Sequence, residues 1–178
     1  RPSMGKTAFV LTMARNMAVE FKTPVAFFSL EMSSVQLMNR LIVAETQLNP
    51  KDLRTGNLTP AQWSHLEKQT IDLGRAPLYI DDTPALSVYE FRSKARRLKT
   101  QHDIKLIIID YLQLMNANGS SFGSREQEVS IISRSLKGLA KELDIPIIAL
   151  SQLSRAVEKR DSSNSNVDGK KPLLSDLR

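Results

Sequence analysis

Near its start, the chain carries the tripeptide Gly5-Lys6-Thr7 at the head of an apolar helical stripe. Glycine at a helix N-terminus lets backbone N–H groups approach a phosphate, and the lysine and threonine that follow can contact phosphate oxygens and a magnesium ion. This is the core of a phosphate-binding loop, whose first glycine would precede Arg1 in the full motif. The tripeptide indicates nucleotide binding, although alone it is a modest signal.

Apolar segments and helical stripes alternate behind this tripeptide. A helix is expected from Gly5 to about Phe21. Its buried stripe would comprise Phe9, Val10, Met13 and Met17. The segments predicted as strands are residues 25–30, 78–80, 106–109 and 146–150. Such an alternation is typical of an α/β fold with a mostly parallel sheet and helices on both faces.

Four later helices are marked by a Ser or Thr cap followed three residues later by Glu or Gln, the pattern of a capping box. The pairs are Ser33 with Gln36, Thr59 with Gln62, Ser87 with Glu90, and Ser124 with Gln127. The helices after the second, third and fourth caps carry apolar stripes. These are Trp63, Leu66 and Leu73; Val88, Phe91, Ala95 and Leu98; and Val129, Ile132, Leu136, Leu139 and Leu143.

Asp110 closes the apolar segment 106–109, where a carboxylate can hold the water shell of a magnesium ion, as the Walker B aspartate does in P-loop NTPases. The alternative is an aspartate that only caps a strand end. Together with Gly5-Lys6-Thr7, the pattern favours an NTPase. Tyr111 follows, so the catalytic base does not lie directly after the metal ligand, as it does in enzymes with an Asp-Glu pair.

Glu31 is the best candidate for that base, because it follows the strand 25–30 and parallel strands bring their carboxyl ends to one edge. It could instead be a surface residue that begins the next helix. Gln152, after the strand 146–150, lies on the same predicted edge and can hydrogen-bond a γ-phosphate, or it is an ordinary turn amide.

Basic residues near this edge are candidates for binding DNA phosphates. They are Arg155, Lys159, Arg160, Lys170, Lys171 and Arg178. Most belong to residues 155–172, a polar segment interpreted as a flexible loop. The basic residues of the helix after Ser87 are interpreted as a solvated face. His65 and His102 are given no role.

Composition narrows the classes of function. The 178 residues carry 25 Lys and Arg against 19 Asp and Glu, a surplus of +6 that makes a polyanionic partner plausible. Without cysteine and with two histidines, thiol catalysis and the usual zinc sites are excluded. The longest apolar stretch, residues 106–115, is interrupted by Asp110 and too short to cross a bilayer. No membrane partner is expected, and the default expectation is a soluble intracellular protein.

Seven strings in register resemble the C-terminal RecA-like motor domain of the replicative DNA helicase family of DnaB type. They are Arg1-Pro2-Ser3-Met4-Gly5-Lys6-Thr7, Ser29-Leu30-Glu31-Met32-Ser33, Leu53-Arg54-Thr55-Gly56, Ile109-Asp110-Tyr111-Leu112-Gln113-Leu114-Met115, Ser124-Arg125-Glu126-Gln127-Glu128-Val129, Ser151-Gln152-Leu153-Ser154-Arg155 and Leu174-Ser175-Asp176-Leu177-Arg178. The resemblance covers the whole chain, 1–178, as one motor domain cut at both ends, without its first strand and its last strands.

This resemblance implies an ATP-driven 5′ to 3′ helicase that forms a homohexameric ring around single-stranded DNA in the bacterial cytoplasm, at the nucleoid or replisome. Primase and a helicase loader would meet the full-length protein. ATP and Mg²⁺ would be held by Ser3, Gly5, Lys6, Thr7, Ala8, Arg40, Asp110 and Gln152. Thr7 and Asp110 would face the metal, Asp110 through water. Lys6 and Glu31 would be catalytic, and the DNA-contacting loop would begin at Arg178.

Two other interpretations stay open at this point. One is a RecA- or RadA-like recombinase or a circadian-type RecA-fold ATPase, which shares the phosphate-binding loop and the strand-end glutamate but lacks the string that begins at Asp110. The other is a degenerate ATP-binding scaffold. The stretch 161–169 looks longer than is usual in the helicase family, and the arginine finger would lie beyond Arg178. The 178 residues alone are therefore expected to bind nucleotide weakly and not to unwind DNA.

Overall fold

The structure is a computed structural model that describes residues 5–117 and 125–152. Helices and parallel strands alternate along this part of the chain. In chain order they are α1 (Lys6–Arg15), β1 (Val25–Ser29), α2 (Ser34–Thr46), α3 (Pro50–Thr55), α4 (Pro60–Arg75), β2 (Leu78–Asp81), α5 (Val88–His102), β3 (Leu106–Asp110), α6 (Arg125–Leu143) and β4 (Ile147–Ala149). A π-helical turn, Asn16–Glu20, extends α1, and a 3₁₀ turn, Leu112–Leu114, follows β3.

The four strands form one parallel sheet in the order β2-β1-β3-β4. The two central strands, β1 and β3, are buried along their whole length, which their unbroken apolar sequences predict. Their register pairs Ser29 with Asp110, so both strands end at the same level. The chain segments that follow β1 and β3 therefore lie together at this edge of the sheet.

Helices cover both faces of this sheet, as predicted. On one face, α5 and α6 pack on alternate strand residues such as Phe28 and Ile109, and the rings of Phe28 and Phe91 meet edge to face with centroids 4.8 Å apart. On the other face, α1, α2 and α4 pack on the remaining strand residues, such as Phe27 and Ile108. The α/β fold with a parallel sheet is confirmed.

Three of the four predicted capping boxes are present. Ser33, Thr59 and Ser87 each accept a hydrogen bond from the backbone N–H three residues later, and the Gln or Glu at that position bonds back. Each box satisfies two of the N–H groups that a helix start leaves without an intrahelical partner. Ser124, the cap of the fourth box, lies outside the described residues.

Two predictions of buried side chains are wrong. Phe9 is 72% exposed, because α1 turns Val10, Leu11 and Ala14 toward the sheet instead. Trp63, predicted on the buried stripe of α4, is 45% exposed, and Leu73 is the residue of this stripe that is buried. The first helix ends close to the predicted residue, but regular α-helical bonding stops at Arg15 and the π-helical turn completes it to Glu20.

The polar surface of α5 is more structured than a simple solvated face. Arg92 and Arg96 both bond the Glu142 carboxylate of α6, and Lys94 bonds Asp81 at the end of β2. His65 likewise has a structural contact, because its Nε2 lies 3.1 Å from the carbonyl oxygen of Thr46 at the end of α2. Among the described residues, no helix has the length and apolar character needed to span a bilayer.

Candidate nucleotide site

The N-terminus of α1 points its free N–H groups toward the edge where β1 and β3 end. Gly5 precedes the helix in a left-handed conformation, with φ of 79°, which glycine adopts at little cost. No side chain among the described residues caps this helix. Unpaired N–H groups and the helix dipole together favour an anion at this position. The placement agrees with the phosphate-binding role predicted for Gly5.

Thr7 and Asp110 meet directly at this edge. The Thr7 hydroxyl donates a hydrogen bond of 2.6 Å to Oδ2 of Asp110, although 103 residues separate them in the sequence. Asp110 is 2% exposed, and it makes no ion pair within the described residues. A partly buried hydroxyl and a buried carboxylate are hard oxygen donors of the kind that Mg²⁺ prefers, so the pair fits a magnesium ion that also binds phosphate and water. Within the described ranges, no group of three or more His, Cys, Asp or Glu residues is placed so that it could hold a metal ion.

Glu31 follows β1 at the same level. The N–H of Leu30 donates to the carbonyl oxygen of Asp110 at 2.7 Å. Glu31 is the next residue, so its backbone lies close to that of the predicted metal ligand. Its side chain is exposed and has no hydrogen bond or ion pair with the described part of the chain. A carboxylate is one of the side-chain groups that can act as a general base, so the position of Glu31 at this edge leaves the predicted role open to test.

Lys6 reaches across the edge from α1 to the segments that follow β3 and β4. Its Nζ lies 3.5 Å from the carbonyl oxygen of Ser151 and 5.6 Å from the centre of the Tyr111 ring. The second distance is within the range of a cation–π contact. The peptide bond between Asp110 and Tyr111 is cis. Lys6 therefore connects the first turn of α1 with the ends of two strands.

Gln152 is held by Gln113, a residue to which the sequence analysis gave no role. Gln113 Oε1 accepts from the Gln152 N–H at 3.3 Å, while its Nε2 donates to the Gln152 carbonyl at 3.0 Å and to the Ser151 hydroxyl at 2.7 Å. Sequence periodicity could not single out Gln113, because it lies in a 3₁₀ turn of three residues. The available signals were its position three residues after Asp110 and its place in the string Ile109–Met115 that resembles the helicase family.

Ala8 and Arg40 lie to one side of this cluster. Both line a cavity of 720 Å³ between α1, α2 and α3, to which Thr12 and Arg54 also contribute. Lys6, Thr7 and Asp110 do not line it, so the cavity is beside the Thr7–Asp110 pair and does not contain it. Arg40 thus lines a cavity that Ala8 also lines, and the cavity does not include the buried Asp110 carboxylate.

Several predicted site residues lie outside the described ranges. They are Ser3 of the phosphate-binding loop and the DNA-contact candidates Arg155, Lys159, Arg160, Lys170, Lys171 and Arg178. The segment 155–172 lies there too. The described part of the site therefore consists of the start of α1 and the ends of β1, β3 and β4.

Comparisons with known proteins agree with this arrangement. The chain is 51% identical to replicative DNA helicase DnaB of Geobacillus stearothermophilus and 49% identical to replicative DNA helicase DnaC of Bacillus subtilis. Each match covers all of this chain but 38% of the relative, so the chain spans well under half the length of these proteins.

Two solved structures share the fold at 38% sequence identity, and both comparisons cover the whole of this chain. One is an ATPase domain, with a TM-score of 0.85 and 61% of that chain covered. The other is a DnaB-like replicative helicase studied with primase, with a TM-score of 0.84 and 41% covered. The fold is therefore RecA-like. The model of the DnaB-like helicase C-terminal domain matches residues 1–178, and the chain belongs to this family.

Proposed function

We propose that this chain is the motor of an ATP-dependent replicative DNA helicase, which hydrolyses ATP to move 5′ to 3′ on single-stranded DNA and separate the duplex. The proposal rests on the 2.6 Å contact between Thr7 and Asp110. Glu31, which has no partner within the described residues, follows β1 at the same sheet edge. These are the groups that nucleotide hydrolysis requires: oxygen ligands for a metal and a base for water. A recombinase or a circadian-type ATPase is less well supported, because the family match covers the whole chain.

Each residue at the edge has a defined task in this proposal. ATP would supply the γ-phosphoryl group, and a bound Mg²⁺ would supply positive charge beside it. Lys6 and the N–H groups at the start of α1 would bind phosphate oxygens, while Thr7 and Asp110 would hold the metal, Asp110 through water. Glu31 orients the attacking water and takes its proton. Ala8 contacts the phosphates beside Lys6, Arg40 lies near the nucleotide, and Gln152 contacts the γ-phosphate.

Assembly and partners belong to the same proposal. A homohexameric ring would place nucleotide between subunits and single-stranded DNA in the channel, with Lys170, Lys171 and Arg178 as DNA contacts. One of the two solved structures concerns a DnaB-like helicase and its interactions with primase, which supports a primase partner for the full-length protein. A helicase loader and a location in the bacterial cytoplasm, at the nucleoid or replisome, complete the proposal.

Glu31→Gln in the full-length protein tests the central assignment. The amide keeps the size of the side chain but cannot take a proton, so DNA-stimulated ATP hydrolysis should fall by roughly 100-fold or more while nucleotide binding persists. Glu67→Gln is the matched control, because Glu67 is an exposed residue of α4 away from the edge. Hydrolysis that persists in Glu31→Gln would remove Glu31 from the role of base.

Native mass measurement with and without ATP and Mg²⁺ tests the ring. Six copies in the presence of nucleotide would support it, and an open filament on DNA would favour the recombinase alternative. Unwinding assays on a fork with a 5′ tail test the polarity. The isolated 178 residues should bind nucleotide weakly and fail to unwind this fork, and measurable unwinding by them would contradict the proposed need for the rest of the protein.

A further inference from the structure

The side chain of Gln113 hydrogen-bonds both backbone polar groups of Gln152. Its carbonyl oxygen accepts from the Gln152 N–H and its amide group donates to the Gln152 carbonyl, at 3.3 and 3.0 Å. This is the pattern by which one strand residue bonds the N–H and the C=O of a neighbour, made here by a side chain. A third bond, of 2.7 Å, ties the same amide group to the Ser151 hydroxyl.

These bonds begin where the sheet ends. The last backbone bonds between the segments after β3 and β4 join the Leu150 N–H to Ile109 and the Leu112 N–H to Leu150. Beyond Leu150, the Gln113 side chain makes the hydrogen bonds to the backbone N–H and C=O of Gln152. A partly buried amide that satisfies two backbone groups fixes their direction, because leaving either group unpaired costs free energy. Gln113 therefore sets the path of the chain at Gln152.

The segment that Gln113 bonds, Ser151 and Gln152, also contacts the predicted phosphate-binding lysine. Nζ of Lys6 lies 3.5 Å from the carbonyl oxygen of Ser151, the residue whose hydroxyl accepts from Gln113. The Gln152 side chain itself has no hydrogen bond within the described ranges, so it remains available to a ligand. Gln113 thus bonds both Ser151, whose carbonyl Lys6 contacts, and Gln152, whose side chain is available to a ligand.

We propose that Gln113 is a positioning residue that holds Gln152 in register with Lys6 and Asp110, so that the Gln152 amide meets the γ-phosphate. This inference rests on the proposed function, because it assumes that Gln152 contacts the γ-phosphate during ATP hydrolysis. Gln113 itself touches neither nucleotide nor metal. Its loss should impair turnover and leave the binding of ATP by the α1 N-terminus in place.

The decisive variant is Gln113→Met in the full-length protein, because methionine preserves the length and much of the volume of the side chain but has no amide. The kcat of DNA-stimulated ATP hydrolysis should fall about tenfold, with KM for ATP within about twofold of the wild-type value. Gln113→Glu should behave alike, since a carboxylate cannot donate to the Gln152 carbonyl. Gln69→Met on the exposed side of α4 is the matched control and should leave both constants unchanged.

A double-mutant cycle shows whether Gln113 acts through Gln152. In a Gln152→Ala background, Gln113→Met should cause little further loss of kcat, because the side chain that it positions is absent. An equal loss in both backgrounds would overturn the proposal, as would wild-type kcat in Gln113→Met. Retained binding of a fluorescent ATP analogue shows that the variants are folded. If Gln152→Ala alone has wild-type kcat, the proposed role of Gln152 fails, which is distinguishable from a failure of Gln113.

Discussion

Two aspartates end parallel strands of the same sheet and have opposite surroundings. Asp110 ends the central strand β3, is 2% exposed, and accepts a hydrogen bond from the neutral hydroxyl of Thr7. Asp81 ends the edge strand β2 and is bonded by the ammonium group of Lys94 at 2.5 Å and by the Thr83 N–H at 3.0 Å. The sheet places both at its carboxyl edge, but Asp81 has a cation of its own within the described chain and Asp110 does not.

The partners of Asp81 stabilise its charged form. Burial alone would raise the pKa of this carboxyl, but the hydrogen bonds from Lys94 and Thr83 outweigh burial and hold the pKa below its ordinary value. Lys94 also bonds the Thr83 hydroxyl at 2.6 Å, so strand end, turn and α5 form one small network. The negative charge of Asp81 is therefore compensated by Lys94, a residue of the same chain.

This difference separates structural from functional residues at one sheet edge. A strand-end aspartate is a weak signal in itself, because both positions share it. The informative feature is a buried carboxylate with no cation from the described part of the protein, since such a charge is costly unless a bound metal ion compensates it. Asp110 meets this condition, whereas Asp81, with Lys94 beside it, does not.

The largest effect should come from Asp110→Asn. An amide can still accept the hydrogen bond from Thr7, but it is a poor partner for the water shell of Mg²⁺, so ATP hydrolysis by the full-length protein should fall by roughly 100-fold or more. Removing a buried charge without a cation should leave the free energy of unfolding unchanged or raise it. Steady-state ATPase assays and urea unfolding measure the two quantities. Full activity in Asp110→Asn would make Asp110 a structural residue like Asp81.

A smaller loss is expected for Thr7. Thr7→Ala removes the hydroxyl that meets Asp110 and should lower kcat by roughly 10- to 100-fold, with partial relief at high Mg²⁺ concentration. Thr7→Ser retains the hydroxyl and should keep most of the activity. Comparing the Mg²⁺ dependence of the two variants tests the metal assignment, because a residue needed only for packing would show no dependence on Mg²⁺.

The sequence could predict the sheet, and that Glu31 and Asp110 follow strands that end at one edge, because both expectations follow from strong rules. Unbroken apolar runs predict buried strands, and parallel strands must end at one edge. Three capping boxes were equally predictable, because their hydrogen bonds are local. Phe9 could not be placed in the same way, since the stripe pattern of α1 leaves room for more than one buried face and packing on the sheet selects it.

The contacts of side chains in short turns were beyond sequence reasoning. Gln113 meets Ser151 and Gln152 across 38 and 39 residues of chain, and no local pattern reports such a distance. The basic residues of α5 were predicted to be solvated for the same reason, because Glu142 belongs to another helix. Long-range polar contacts depend on how helices pack, and this was visible only in the structure.

Asp81→Asn should reverse the pattern expected for Asp110. The amide loses the ion pair with the partly buried Lys94, so the free energy of unfolding should fall by about 1 kcal/mol. ATP hydrolysis should be unchanged, since none of the described residues of the proposed site bonds Asp81. Asp72→Asn on the exposed side of α4 controls for the change in net charge. Lost hydrolysis with unchanged stability would show that the two aspartates do not differ in the way their partners indicate.

The smallest effect concerns pH. The pKa of Asp81 is lower in the folded protein than its ordinary value of 3.8, so its contribution to stability is present above that value. The contribution is lost as the pH falls through the lower folded pKa, because the unfolded chain then binds the proton first. The stability difference between wild type and Asp81→Asn should therefore be constant between pH 5 and 7, within about 0.3 kcal/mol, and shrink below pH 4. Urea titrations of both proteins at pH 7, 5 and 3.5 measure it. A difference that stays the same at pH 3.5 would mean that Asp81 acts through its shape and its neutral hydrogen bonds, and the contrast with Asp110 would then not rest on charge.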